Sequence, residues 1–207
     1  MRKIILSLGA ILTFGFANAQ DTALVQEEMD TAKGMTFKQG DMFLEGSVKI
    51  TTGDTSNDYF AFTPKFGYFV NPKLAVGADL NFSSNKANSN DNKTTSFGVG
   101  LFARYYMLSL VQSRLKVYGE AGVGYNHRKT EIGGFSDDTN GMKANIDLGL
   151  NYFFTEHWAA SFTLSSILSY NNASPESDEG YADNFELNIN LFENIFATPQ
   201  FGLMYKF

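Results

Sequence analysis

From Asp41 to the C-terminus the chain alternates apolar and polar residues with a period of two, and it does so eight times. That period belongs to strands with two unlike faces, not to helices. In the first segment Met42, Leu44, Val48 and Ile50 share one face, and Glu45, Ser47, Lys49 and Thr51 share the other. The second sets Phe60, Phe62, Phe66 and Tyr68 against Thr63, Lys65 and Gly67. The third sets Leu74, Val76, Ala78, Leu80 and Phe82 against Gly77, Asp79, Asn81 and Ser83. Segments starting near Phe97, Leu115, Met142, Trp158 and Phe201 repeat the pattern. A chain that is 15% aromatic yet has a mean hydropathy of −0.18 fits such alternation better than it fits a thick soluble core.

Each segment is about the 9–11 residues that a tilted strand needs to cross a bilayer. An even count of eight is the smallest found for bacterial outer-membrane barrels. The connections add to this. Short ones at Val70–Lys73 and Thr155–His157, with a medium one at Ser109–Ser113, alternate with long polar ones at Asn85–Lys93, His127–Gly141 and Asn171–Asn184. Gly53–Asp58 is a short exception. Aromatic residues gather where strands meet a rim: Tyr68 and Phe69, Tyr105 and Tyr106, and Tyr152 to Phe154 with Trp158. Rings of this kind favour the membrane–water interface. The stretch from Asn184 to Phe207 is too long for one spanning strand. It is expected to be either a final strand interrupted near Glu193–Pro199 or a strand with an extra external hairpin.

The first nineteen residues lie outside the fold. Met1-Arg2-Lys3 is a basic start, Ile4–Phe16 an apolar run, and Ala17-Asn18-Ala19 a small-residue cleavage site before Gln20. This is a secretory signal peptide, with an apolar run too short to span a membrane. The expected organisation is a signal peptide at 1–19, a loose periplasmic leader at 20–40 and a barrel at 41–207. Cleavage removes Arg2 and Lys3, taking the net charge from −6 to −8. An acidic chain gives no support to nucleic-acid binding. With Cys 0 there is no disulfide, thiol nucleophile or cysteine-ligated metal.

The charges within the strands fall on the face opposite the apolar one. Glu45, Lys49, Lys65, Asp79, Arg104, Glu120 and Asp147 are expected to form a polar network in the lumen, with Lys116 and Lys206 on the same face. The Asn71-Pro72 turn sets Lys65 opposite Asp79, so an ion pair is expected there. The interior of an eight-stranded barrel is just wide enough for side chains to fill. A satisfied polar core is therefore favoured over a gated path.

The chain ends Gln200-Phe201-Gly202-Leu203-Met204-Tyr205-Lys206-Phe207. Gln200, Gly202, Tyr205 and Phe207 match the C-terminal assembly signal of outer-membrane barrels. With the signal peptide and eight strands, the mature chain resembles the small OmpA- and OmpX-type barrels, close to the porin-family barrels of the Bacteroidetes. The resemblance implies an all-β, eight-stranded antiparallel up-and-down transmembrane barrel. It implies export through the Sec pathway, insertion by the barrel-assembly machinery, a Gram-negative outer membrane, and contact with outer-membrane lipid and lipopolysaccharide. Both termini would be periplasmic and the protein a monomer.

The expected role is structural or surface-binding, with a narrow or closed lumen, no cofactor and an unidentified ligand for the outer loops. A small-solute pore, a lipid A-modifying barrel enzyme and a soluble lipocalin-like binder are the alternatives. The enzyme would need a Ser–His pair oriented by an acid. His127, Ser136, Asp137 and Asp138 are the candidates for it, and their spacing is no motif. His157, beside Trp158, reads as an interface anchor. The acids Asp137, Asp138, Glu176, Asp178 and Glu179 match no calcium-loop spacing.

Overall fold

The computed structural model describes residues 27, 29–51, 58–87, 92–175, 182–187 and 200–207. The signal segment and its cleavage residues Ala17, Ala19 and Gln20 lie outside the described residues.

Among the described residues there are nine strands: β1 (Met42–Thr51), β2 (Asp58–Asn71), β3 (Leu74–Lys86), β4 (Lys93–Leu110), β5 (Leu115–Ile132), β6 (Phe135–Phe153), β7 (Trp158–Pro175), β8 (Ala182–Leu187) and β9 (Gln200–Lys206). Each pairs antiparallel with its neighbours, and β1–β9 and β6–β7 pairing closes the sheet into a ring. The ring has eight positions, because β8 and β9 both lie along β7. Leu187 stands opposite Leu168 and Gln200 opposite Thr163. Five steps along β7 therefore face thirteen steps along the last strand. The stretch expected to hold either an interruption or an extra external hairpin falls between those two pairings. Residues 188–199 lie outside the described residues.

Closure satisfies the backbone groups that an open edge would leave unpaired in lipid. It also decides which face looks where. Leu44, Val99, Leu101 and Val123 are exposed on the outer wall, Leu101 at 64%. Glu45, Arg104, Glu120 and Lys116 are buried inside. Outward charges at mid-depth would cost about 2–4 kcal/mol each in a bilayer, and the strands place theirs in the lumen. A soluble lipocalin-like barrel would need the reverse arrangement, so that alternative is discarded.

The turns at Pro72–Lys73, Val111–Arg114 and Phe154–His157 share one end with Asp41 and Phe207. Outer-membrane barrels keep short turns on the periplasmic side. At the other end two connections differ from expectation. His127–Gly141 is not a loop but a continuation of β5 and β6, paired from His127↔Asn140 to Ile132↔Phe135. Gly133 (φ 56°) and Gly134 (φ 89°) make the two-residue turn. Two consecutive left-handed positions match the twist of a tight hairpin and favour glycine. The apolar alternation fades there because both faces of the hairpin leave the bilayer. Likewise β7 runs on to Pro175, which shortens the connection expected at Asn171–Asn184.

The rim aromatics divide. Tyr68, Tyr105 and Trp158 face outward, whereas Phe69, Tyr106 and Phe153 are buried in the lumen. Glycine makes room for these rings. A Cβ on Gly149 would fall on the Tyr118 ring, and one on Gly67 would fall on the Phe43 ring. Gly149→Val is expected to lower barrel stability by about 1–3 kcal/mol through overpacking. Urea unfolding in lipid vesicles measures this. Adding Tyr118→Leu should recover part of the loss.

Candidate functional site

The lumen is built in three layers. The lowest is formed by the segment expected to be a loose leader. Its described part instead enters the periplasmic mouth, where Ala32, Met35 and Phe37 are buried. Phe37 stacks on Phe69 with ring centroids 4.2 Å apart and meets Tyr106 at 4.5 Å. Polar contacts tether the segment to the short turns. The Gly34 N–H donates to the Gln112 carbonyl (2.8 Å), and the Glu156 N–H donates to Thr31 Oγ1 (3.0 Å). Arg114 Nη2 donates to the Met29 carbonyl (2.6 Å), and Lys116 Nζ to the Met35 carbonyl (2.7 Å). The β4–β5 turn holds Val111, Gln112 and Ser113 at φ of 52°, 55° and 69°. Left-handed backbone at three non-glycine residues costs on the order of 1 kcal/mol each. The Gln112 carbonyl that receives Gly34 lies within this strained turn.

The middle layer is a closed charge cluster. Arg104 is fully buried. Its Nη1 and Nη2 donate to the two oxygens of Glu45 at 2.7 and 3.1 Å, and its Nε donates to Glu120 Oε2 at 2.7 Å. Lys65 Nζ donates to the other Glu120 oxygen. The guanidinium also lies 4.1 Å from the Tyr118 ring centroid. Two cations and two carboxylates cancel, and the fork geometry suits both acids at once. Beneath it the Tyr106 hydroxyl donates to Asn151 Oδ1 (2.9 Å), and Asn151 Nδ2 donates to Ser161 Oγ (2.8 Å). The polar atoms of the middle lumen are thus satisfied, as buried groups must be.

The upper layer is a polar cavity of about 540 Å³, floored by Phe102 and Glu120 and walled by Asn81, Lys143, Asn145, Asp147, Ser165 and Asn171.

Of the seven expected network residues, Glu45, Lys65, Arg104 and Glu120 come together as one cluster. Lys49 stands apart, 5.7 Å from the Tyr59 ring centroid. Asp147 accepts from Asn145 Nδ2 in the upper cavity wall. The expected Lys65–Asp79 ion pair does not form, although the register does place the two opposite each other. Asp79 instead pairs with Lys143 at 3.6 Å. Gly100 and Gly124 explain the exchange. A Cβ on Gly100 would come within 2.5 Å of Asp79 Oδ2, and one on Gly124 within 2.9 Å of Lys143 Cε. The two glycines form a trough through which Asp79 and Lys143 lean together, leaving Lys65 to Glu120.

The C-terminal residues seal the ring. The Phe207 N–H donates to the Met42 carbonyl (2.8 Å), and Tyr205 packs edge-on against Trp158 with centroids 4.8 Å apart. Gln200 lines the upper cavity, and Gly202 lies against the Gly46 carbonyl. His157 Nδ1 lies 2.8 Å from the Lys206 carbonyl. His127 meets Asn140 Oδ1 at 2.8 Å, whereas Ser136 stands opposite Glu131 further along the hairpin. The register therefore does not join His127 to Ser136. Asp137 and Asp138 lie on β6, while Glu176, Asp178 and Glu179 lie outside the described residues.

Residues 10–207 match the outer membrane protein beta-barrel domain. The chain belongs to that family. No curated protein sequence matches it significantly. Its fold is similar to Neisserial surface protein A (TM-score 0.51, 20% identity, covering 81% of this chain and 96% of that one). It is similar to OprG of Pseudomonas aeruginosa (0.51, 16%, 84% and 98%). It is also similar to the N-terminal β-barrel domain of Pseudomonas aeruginosa OprF (0.50, 16%, 83% and 100%). These likenesses concern the fold. They carry no support for the Bacteroidetes affiliation that the resemblance of the whole mature chain implies. The protein is an outer-membrane barrel, with its apolar wall in lipid and its charged wall enclosed.

Proposed function

We propose that the protein is a closed-lumen envelope barrel whose role is structural or surface-binding, not solute passage or catalysis. The sealed lumen carries this reading: Arg104 bridges Glu45 and Glu120 above a layer of Phe43, Phe69, Tyr106 and Tyr118, and Phe37 fills the mouth below. A diffusing solute would have to break a charge-assisted network and displace packed rings together. In this reading the protein works as a monomer. It is inserted by the assembly machinery through its Gln200, Gly202, Tyr205 and Phe207 ending, and it meets external ligands with the strand extensions beyond the bilayer.

In planar bilayers the protein is expected to stay electrically silent at all holding voltages. Steady single-channel currents would replace this reading with the pore.

A further inference from the structure

On the outer wall, the β3–β4 pairing stacks three pairs of residues in order toward the outer rim: Phe82↔Phe97, Ser84↔Thr95 and Lys86↔Lys93. Both lysines are exposed. Paired residues share a face of the sheet, so all six point away from the lumen. The two phenyl rings pack with centroids 5.2 Å apart. The lysines are four residues further out, roughly 13 Å along the strand and about 10 Å along the membrane normal at the usual tilt. This ladder passes from acyl-facing rings through hydroxyls to ammonium groups. It follows the polarity of a lipid from chain to headgroup.

The two lysines themselves need explaining. Like charges directly opposite on one face of an antiparallel pair are destabilising. Glu131 is opposite Lys93, but its carboxylate is held by Lys129 at 3.1 Å. Asp58 is opposite Lys86. Even so, among the described residues no carboxylate comes within ion-pairing distance of Lys86 or Lys93. A dianionic group between them would turn the repulsion into attraction, with Ser84 and Thr95 supplying hydroxyl donors beneath it.

We propose that Lys86 and Lys93 form a binding site for the phosphate monoester of a lipid headgroup in the outer leaflet, of the kind that lipid A carries. The site is independent of whether the lumen conducts.

The test compares wild type with Lys86→Gln/Lys93→Gln in phosphatidylcholine vesicles. The vesicles contain bisphosphorylated lipid A, dephosphorylated lipid A, or neither. The readout is the temperature at which the folded, heat-modifiable gel band is lost. Bisphosphorylated lipid A is expected to raise the wild-type midpoint by about 5 °C or more, to leave the variant unmoved, and to act only when phosphorylated. In phosphatidylcholine alone the variant is expected to be at least as stable as wild type, because a repulsion has been removed. An equal rise in wild type and variant would overturn the site. So would a variant that is less stable without lipid A, since the lysines would then serve the fold. A full rise with millimolar inorganic phosphate and no lipid A would overturn the lipid assignment.

Discussion

Arg104→Met is expected to destabilise the barrel by about 3–5 kcal/mol, the usual cost of leaving a buried carboxylate without its partner. Arg104 makes three donations to carboxylates, two to Glu45 and one to Glu120, and no part of it is exposed. Without it Glu45 keeps no directly paired cation among the described residues, while Glu120 keeps Lys65. The loss therefore lies chiefly with Glu45. The double variant Arg104→Met/Glu45→Gln, which leaves the neutral Lys65–Glu120 pair, is expected to recover more than half of it. Urea unfolding in vesicles measures both. A double variant no better than the single one would show that the fork's geometry, not charge balance, sets the stability. A single variant within 1 kcal/mol of wild type would remove the cluster from the account altogether.

Phe37→Ala is expected to cost a further large amount, about 3–5 kcal/mol, by emptying a site between Phe69, Tyr106 and Phe153. Phe37→Leu should retain most of the stability, because volume-conserving apolar exchanges usually cost under about 1.5 kcal/mol. Added protease should cut the leader of Phe37→Ala faster than that of wild type, since this ring is the largest apolar anchor of Met29–Phe37, beside buried Ala32 and Met35, the Asp30–Arg114 pair and a few hydrogen bonds. The Arg104 layer lies above and is untouched, so the variant should remain non-conducting. A loss below 1 kcal/mol with unchanged proteolysis would mean that the segment does not occupy the mouth in lipid.

Much of the fold was legible in the chain. Faces were legible wherever hydrophobicity alternated, because one residue of slip would have put Lys65 or Arg104 into hydrocarbon. Strand ends were legible only at the periplasmic side, where Asn71-Pro72 and Thr155–His157 punctuate the pattern. At the other end the hairpin through Gly133-Gly134 passed for a loop, because water on both faces removes the pattern that marks a strand. The leader also passed for a loose segment. Ala32, Met35 and Phe37 are three apolar residues among polar ones, too few to show a period, and their value comes from rings supplied by β2, β4 and β6.

The amino-acid order by itself determined that the sheet would close, and that the Phe, Leu and Val face would meet lipid while the charges met each other. For strands that meet hydrocarbon, pleating and the cost of unpaired backbone leave no other arrangement; the burial of the charged face in the folded ring is what set the soluble alternative aside. Only the tertiary structure decided which charge meets which. Inside a narrow ring a side chain reaches across to other strands as readily as to its ladder partner. Two glycines on β4 and β5 therefore sent Asp79 to Lys143, left Lys65 to Glu120, and made Arg104 the centre of the seal.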